Sequence, residues 1–283
     1  MDGVTTLYTK QGRILPCFCY ESLPSTNDEA KRIARTGEYA RFSVAAEGQT
    51  AGRGRMSRAF LSPRGMGLYL SFVYEPTGAF TRTGVLAALA VGALLEEYFG
   101  IDARFKWPND GIAEGKKICG ILPESVVAAD GARRVVIGAG VNLFEEERDF
   151  GELADIATSA VLCCKNERLK AEFMQNKRAV TLDMAVRLTE LMSRLADCEE
   201  SGEDLLPEYR AKLLTLGKRV RFTGRDGAPC EGVASDIAPD CSLVVLTGDG
   251  KTAVGWAARG NGTPPHVRRG ARDGTAAPDV GAE

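Results

Sequence analysis

The chain has 283 residues, 44% hydrophobic and 26% charged, with a formal net charge of -2. That length suits one large domain with a small companion, and so even a charge balance excludes a protein whose main task is gripping nucleic acid. No apolar run approaches the ~18 residues that span a bilayer, and the first ten residues are polar without a signal core, so the expected location is the cytoplasm.

Residues 13–20 are rich in apolar and aromatic types and predict a first strand. Thr26 with Glu29 then fits an S/T-x-x-E capping box, Ala30, Ile33 and Ala34 follow at helical spacing, and Gly37 stands where a C-terminal cap belongs. Ser25 and Thr26 therefore start a helix. A helix start also turns N–H groups and hydroxyls towards whatever pocket precedes it, and the two uses are compatible. Residues 42–46 predict a strand leading into a loop, 47–55, where Gly48, Gly52 and Gly54 alternate with Arg53 and Arg55 beside Gln49. Glycine lets backbone wrap closely around a ligand, and arginine offers planar, permanent charge, a combination suited to an anionic small molecule. Taken alone, the loop reads sooner as a charged surface turn or a short Gly-Arg patch for RNA.

Residues 67–74 place Leu68, Leu70, Phe72 and Tyr74 on one face of a strand. The Ala/Leu-rich run 83–99, closed by Gly100, predicts a buried helix. Residues 103–107 predict a strand, 108–111 a turn, and 117–128 a returning strand that pairs with 103–107 as a hairpin across a longer loop. Pro123 inside the return implies an edge or a bulge. Residues 134–143 are apolar enough for a central strand. The hairpin would gather Lys106, Asn109, Asp110 and Lys117 at one end of a sheet, with Gly120 small enough to admit a ligand. Their plainer reading is a turn with a solvated Asp and a lysine guarding a strand edge.

From 167 to 200 the pattern is helical, and a second helix over 204–216 ends at Gly217. Four short strands follow, at 218–222, 229–237, 242–247 and 252–256, joined by Gly/Asp turns. The expected fold is α+β: a mixed or antiparallel sheet covered by helices on one face over 1–216, a small SH3-like β-barrel over 217–257, and a disordered tail over 258–283. Eight cysteines (Cys17, Cys19, Cys119, Cys163, Cys164, Cys198, Cys230 and Cys241) form no C-x-x-C pair and read as buried small apolar residues. The single histidine, His266, lies in the tail. Chemistry built on a histidine base is excluded.

Four segments carry a resemblance. Residues 52–55 (GRGR), 106–110 (KWPND), 117–122 (KICGIL) and 138–142 (GAGVN) resemble, in order and spacing, the signature of biotin protein ligases, and Ser25, Thr26, Asn27 and Gln49 match as well. The likeness runs from about residue 15 to about residue 256 and includes the barrel.

The resemblance implies an ATP-dependent reaction in two steps. Biotin's carboxylate attacks the α-phosphate to form biotinyl-5′-AMP, and a lysine of a biotin carboxyl carrier protein, of the acetyl-CoA carboxylase type, then takes the biotin. It implies a biotin pocket of Ser25, Thr26, Asn27, Gln49, Gly52, Arg53, Gly54, Arg55, Lys117 and Gly120. Lys117, Arg53 and Arg55 would stabilise the transition state, and Phe60, Lys106, Asn109, Asp110 and Asn142 would lie on the nucleotide side. Phe60 falls near a tryptophan that in the family packs on the adenylate. Mg²⁺ accompanies ATP, with Asp110 as its nearest candidate contact. The 24 residues before Ser25 are too few for the helix-turn-helix domain of the family's repressors, so DNA and membrane partners are not expected, whereas a homodimer is compatible. The rival readings are a lipoate ligase of the same fold, which leans on a His-Asp pair lacking here, and a non-catalytic biotin binder. Residues 257–263 lack the family's usual final barrel strand.

Overall fold

The structure is a computed structural model that describes residues 4–8, 14–55, 58–78, 80–223, 228–248, 250–254 and 266–267. An eight-stranded mixed sheet forms its body. It comprises β1 (Val4–Tyr8), β2 (Ile14–Tyr20), β3 (Phe42–Ala46), β4 (Gly67–Tyr74), β5 (Arg104–Lys106), β6 (Asp110–Ala113), β7 (Lys116–Val127) and β8 (Arg133–Asn142), in the order β1-β2-β3-β4-β8-β7-β6-β5. Only β2 and β3 run parallel. The helices are α1 (Thr26–Thr36), α2 (Arg82–Phe99), α3 (Ala160–Cys163), α4 (Glu167–Gln175), α5 (Lys177–Glu200) and α6 (Leu206–Ala211).

The long helices α2 and α5 cover one face, where Leu68, Leu70, Phe72, Ile137 and Ala139 turn inward. Polar side chains join α5 to the sheet: the buried Ser43 and Thr189 hydroxyls lie 2.9 Å apart, and Arg41, just before β3, reaches Asp197 at 2.6 Å. The short helix α1 lies on the opposite face and packs Ala30, Ile33 and Ala34 against Phe42, Val44, Val73 and Val136. Covered on both sides, β4 is buried at all eight positions, although its sequence alternates like a half-exposed strand. Helical cover on one face thus holds for the long helices, and α1 adds partial cover on the other.

Several elements differ from expectation. The strand 117–128 does not pair with 103–107, because Asp110–Ala113 forms a strand of its own between them. The meander is tight enough that a methyl group on Gly111 would collide with Cys119 Sγ. Pro123 pairs with Ile137 on β8, and its other side is open, since β6 reaches only as far as Gly120. The ring's missing N–H therefore costs no ladder bond. The run 167–200 is broken at Asn176 into α4 and α5, and the helix over 204–216 shortens to α6 because Phe105 captures the following backbone: its N–H donates to Lys212 O and its carbonyl accepts from Leu214 N.

A second, antiparallel sheet contains β9 (Arg219–Thr223), β10 (Pro229–Ile237), β11 (Leu243–Thr247), β12 (Gly250–Val254) and β13 (His266–Val267), in the order β12-β11-β10-β9-β13. Within the tail, His266 and Val267 thus pair with Arg221 and Val220; the remainder of 258–283 and the segment 257–263 lie outside the described residues. No described helix is long and apolar enough to cross a membrane. None of the eight cysteines is in a disulfide; Cys17, Cys119, Cys163, Cys164 and Cys241 are buried, whereas Cys19, Cys198 and Cys230 are half-buried.

Candidate active site

On the α1 face, a cavity of about 220 Å³ opens over the centre of the sheet. Its floor is made by glycines. A methyl group on Gly140 would stand 2.5 Å from the Phe60 ring and one on Gly120 3.2 Å from it, while one on Gly138 would collide with Asn27 Oδ1. Side chains on these strands would fill the space, so their absence makes the groove.

The polar end is built by the start of α1. Ser25 is the N-cap, but neither it nor Thr26 caps the helix through its side chain, and Glu29 binds Tyr20 and Arg32 instead. The expected capping box is therefore absent. Thr26 N donates to Gln49 Oε1 at 2.8 Å, Gln49 Nε2 donates to Ser62 at 3.0 Å, and Asn27 Nδ2 donates to Leu122 O and to Glu124 Oε2, at 3.1 and 2.7 Å. The Ser71 hydroxyl lies 2.6 Å from Asn27 Oδ1, which only accepts, and 2.8 Å from Thr26 Oγ1. Gln49 and Asn27 are thus held rigidly from behind. Ser25, whose side chain makes no cap bond, lines the cavity.

The charged end is set by a bulge. Ile112 pairs with Lys117 and Gly111 with Cys119, leaving Ile118 as an extra residue in β7. In a regular strand Lys117 would share the core face of Cys119; the extra residue turns it to the face of Gly120 and Asp110, a common use of bulges beside functional sites. Its backbone is held by Ile156 O and Thr158 N, at 2.8 and 2.9 Å, and Asn142 Nδ2 binds Thr158 O at 2.9 Å. Asn142 lies outside the cavity lining and supports Lys117 from behind. Lys117 Nζ stands 2.6 Å from Asp110 Oδ1. That ion pair is off the hydrogen-bonding direction, and the buried oxygen has no directed donor.

At this end, residues 52–54 and 58–60 of the loop are bonded to each other. Arg53 pairs with Ala59, Phe60 N donates to Gly52 O, and Gly54 N donates to Arg58 O. Gly52 does not line the cavity either; it is packed where a side chain would strike Phe60 O and Ser62. Arg53 is held by Asp28 at 2.5 Å and Glu124 at 3.5 Å, whereas Arg55 is half-buried 3.4 Å from Asn109. Burial lowers the Arg55 pKa from its ordinary value and Asp110 opposes that shift; an arginine stays charged throughout.

Arg53, Arg55, Arg58, Lys106 and Lys117 line the cavity with Asp110 as the only acid among its lining residues. Such a ring of positive charge favours a polyanion. Of the expected site residues, Ser25, Thr26, Asn27, Gln49, Arg53, Gly54, Arg55, Phe60, Lys106, Asn109, Asp110, Lys117 and Gly120 meet in this one cavity. Ser71 and Glu124 escaped the sequence reading because each acts across the sheet from distant positions. Arg58 escaped as well, although its place in a basic loop was a usable signal. Among the described residues no cluster of three metal-binding side chains occurs.

Residues 19–142 match the Biotin/lipoate A/B protein ligase family, and residues 215–257 match the Biotin protein ligase C terminal domain. The chain is 42% identical over 144 residues to a bifunctional ligase/repressor BirA of Bacillus subtilis, covering 50% of this chain and 44% of that relative, so it spans under half of that protein's length. It is 31% identical over 242 residues to a biotin--[acetyl-CoA-carboxylase] ligase of Mycobacterium tuberculosis, covering 81% of this chain and 82% of that one. In fold it resembles the biotin protein ligase of Aquifex aeolicus solved with biotin and ATP, at a TM-score of 0.69 and 23% identity over 89% of this chain and 99% of the other.

Proposed function

The chain belongs to the biotin protein ligase family, and from that premise we propose that it joins biotin to ATP as biotinyl-5′-AMP and passes the biotin to a lysine of a biotin carboxyl carrier protein, in the cytoplasm. The observation that carries the reading is the cavity itself. Its lining combines neutral polar groups, Ser25, Thr26 and Gln49, with five cations, of which Arg55, Lys106 and Lys117 gather around Asn109 and Asp110. Biotin has a matching shape of charge, with a neutral ureido ring at one end and a carboxylate at the other.

In the first step a carboxylate oxygen bonds to the α-phosphorus while the bond to the bridging oxygen breaks, and pyrophosphate leaves. Two anions must meet, so Lys117 and Arg55 act by offsetting their repulsion and stabilising the charge on the phosphoryl oxygens. Asp110, 2.6 Å from Lys117, holds the ammonium in place. Phe60, lying against Gly120 and Gly140, supplies an aromatic face for the adenylate. In the second step the carrier amine forms the amide bond, AMP departs, and the amine's proton passes to water. Neither step requires a protein nucleophile, in keeping with a cavity that offers no histidine or cysteine.

A Mg²⁺ ion arriving with ATP would take most of its ligands from phosphates and water. The Asp110 oxygen that does not face Lys117 is the group that would contact it, and the ion would neutralise phosphate charge. The test is incubation of a purified carrier domain with this protein, biotin and MgATP. The expected outcome is a mass gain of one biotinyl group on the carrier. No gain, or an equal gain with lipoate, would overturn the reading.

A further inference from the structure

Three donors converge on Glu124 of β7, four residues beyond Gly120 and so on the same face of the strand. Lys31 Nζ donates to its Oε1 at 2.9 Å, Asn27 Nδ2 donates to its Oε2 at 2.7 Å, and Arg53 Nη2 stands 3.5 Å from Oε2. Lys31 is also held by Asp28, at 3.0 Å. Glu124 itself is not among the residues lining the cavity, so it acts on a ligand through these neighbours.

The arrangement fixes a direction of hydrogen bonding. A carboxylate and a carbonyl only accept, and Asn27 Nδ2 donates to both Glu124 and Leu122 O. Both amide hydrogens of Asn27 are thereby taken. Its oxygen is turned to Ser71, 2.6 Å away, and receives that residue's single hydroxyl hydrogen. Ser71 then has only lone pairs for Thr26 Oγ1, at 2.8 Å. The other neighbour of the Thr26 hydroxyl is Gln49 Oε1, at 3.2 Å, an acceptor that already receives Thr26 N. Whichever of the two it takes, the Thr26 hydrogen is spent inside the protein. Asn27 and Thr26 both line the cavity, and their side chains have only lone pairs left to offer a ligand.

We propose that Glu124 is a positioning residue that sets the hydrogen-bond polarity of the cavity: by fixing the Asn27 amide it makes the site, where α1 begins, an acceptor of N–H groups. A ligand recognised there carries N–H donors, as the ureido ring of biotin does, and in this the inference rests on the function proposed above. Glutamine in place of Glu124 has nearly the same size but one acceptor oxygen for two fixed donors. With that oxygen towards Lys31, its nitrogen meets Asn27 Nδ2. With the oxygen towards Asn27, its nitrogen meets the ammonium. Removing the ammonium frees the second arrangement.

The test combines calorimetric titration of the full chain with biotin, steady-state kinetics, and hydrogen exchange of the Asn27 side-chain amide in the ligand-free protein. Glu124→Gln should weaken biotin binding about tenfold, the scale of one hydrogen bond to a charged group, and raise KM for biotin in step. Both kcat at saturating biotin and KM for ATP should stay nearly unchanged. The Asn27 amide should be protected in the parent chain and exposed to exchange in Glu124→Gln. Adding Lys31→Met to Glu124→Gln should restore both biotin binding and protection. A mere tie between α1 and β7 gives the opposite result, because the double variant has lost more of that tie. Unchanged binding in Glu124→Gln, an unprotected amide in the parent chain, or a double variant weaker than the single would each overturn the proposal. A parent chain that binds no biotin while the exchange pattern holds would count against the function proposed above and support the role of Glu124.

Discussion

Lys117 illustrates how one residue's role depends on its neighbours rather than its type. Its side chain is 37% exposed and reaches the cavity only because Ile118 is bulged out of β7. Removing one preorganised donor from a charge-stabilising site costs about 10²–10³ in rate, so Lys117→Ala should slow biotin-dependent pyrophosphate release by that factor while the protein stays folded. An unchanged rate would mean that the ammonium does not face the reacting phosphate. Arg53 stands differently from Arg55: it is 41% exposed and gripped by Asp28 and Glu124, so its first task is to latch the loop to α1 and β7. Thr26 was legible as the start of a helix but not as a member of the Ser71–Asn27 network, since nothing local pairs positions so far apart in the chain.

At the scale of elements, the described parts of the Gly-Arg loop are joined by the Arg53–Ala59 pairing and by bonds from Phe60 N to Gly52 O and from Gly54 N to Arg58 O. Its anchors are surface ion pairs, individually weak, together with the Phe60 ring on the glycine floor. Loops anchored in this way commonly close on a ligand. Cleavage by trypsin after Arg53, Arg55 and Arg58 should therefore slow when biotin and ATP are added together. Equal digestion with and without them would show that the loop does not close over substrate. The meander β5–β6–β7 was misread as a single hairpin because Asp110–Ala113 is too short to carry a pattern of its own, and only pairing on both sides makes it a strand.

The whole molecule joins its two sheets at the cavity's rim. Trp107 N donates to Thr215 Oγ1 at 2.8 Å and Trp107 Nε1 to Cys241 O at 3.1 Å, so the second sheet buttresses the turn that carries Asn109 and Asp110. Stability as a whole should also depend on pH through Glu145, 1% exposed and with one oxygen unpartnered. Burial pushes its carboxyl up to about 7 from 4.5. Below 4.5 both folded and unfolded chains hold the proton, and nothing is lost. As pH rises towards 7 the unfolded chain releases it first, so stability falls and the loss is complete above 7. A shift of that size corresponds to about 3 kcal/mol. Denaturant unfolding of Glu145→Gln between pH 5 and 8 should show that slope reduced; an identical slope would mean the charge is solvated.

Local chemistry was enough to identify the loop glycines and arginines, the strand 67–74, the helix 83–99 and the family of motifs, because each is written in contiguous residues whose periodicity and conformational freedom act over a few positions. Which of those groups would meet was not so written. Asn142 was expected at the nucleotide and stands behind Lys117, and Glu124 gave no sign that it would tie Asn27, Lys31 and Arg53 together. Pairing register and a one-residue bulge decide which face a side chain occupies, and these arise from long-range packing that no short stretch of sequence contains.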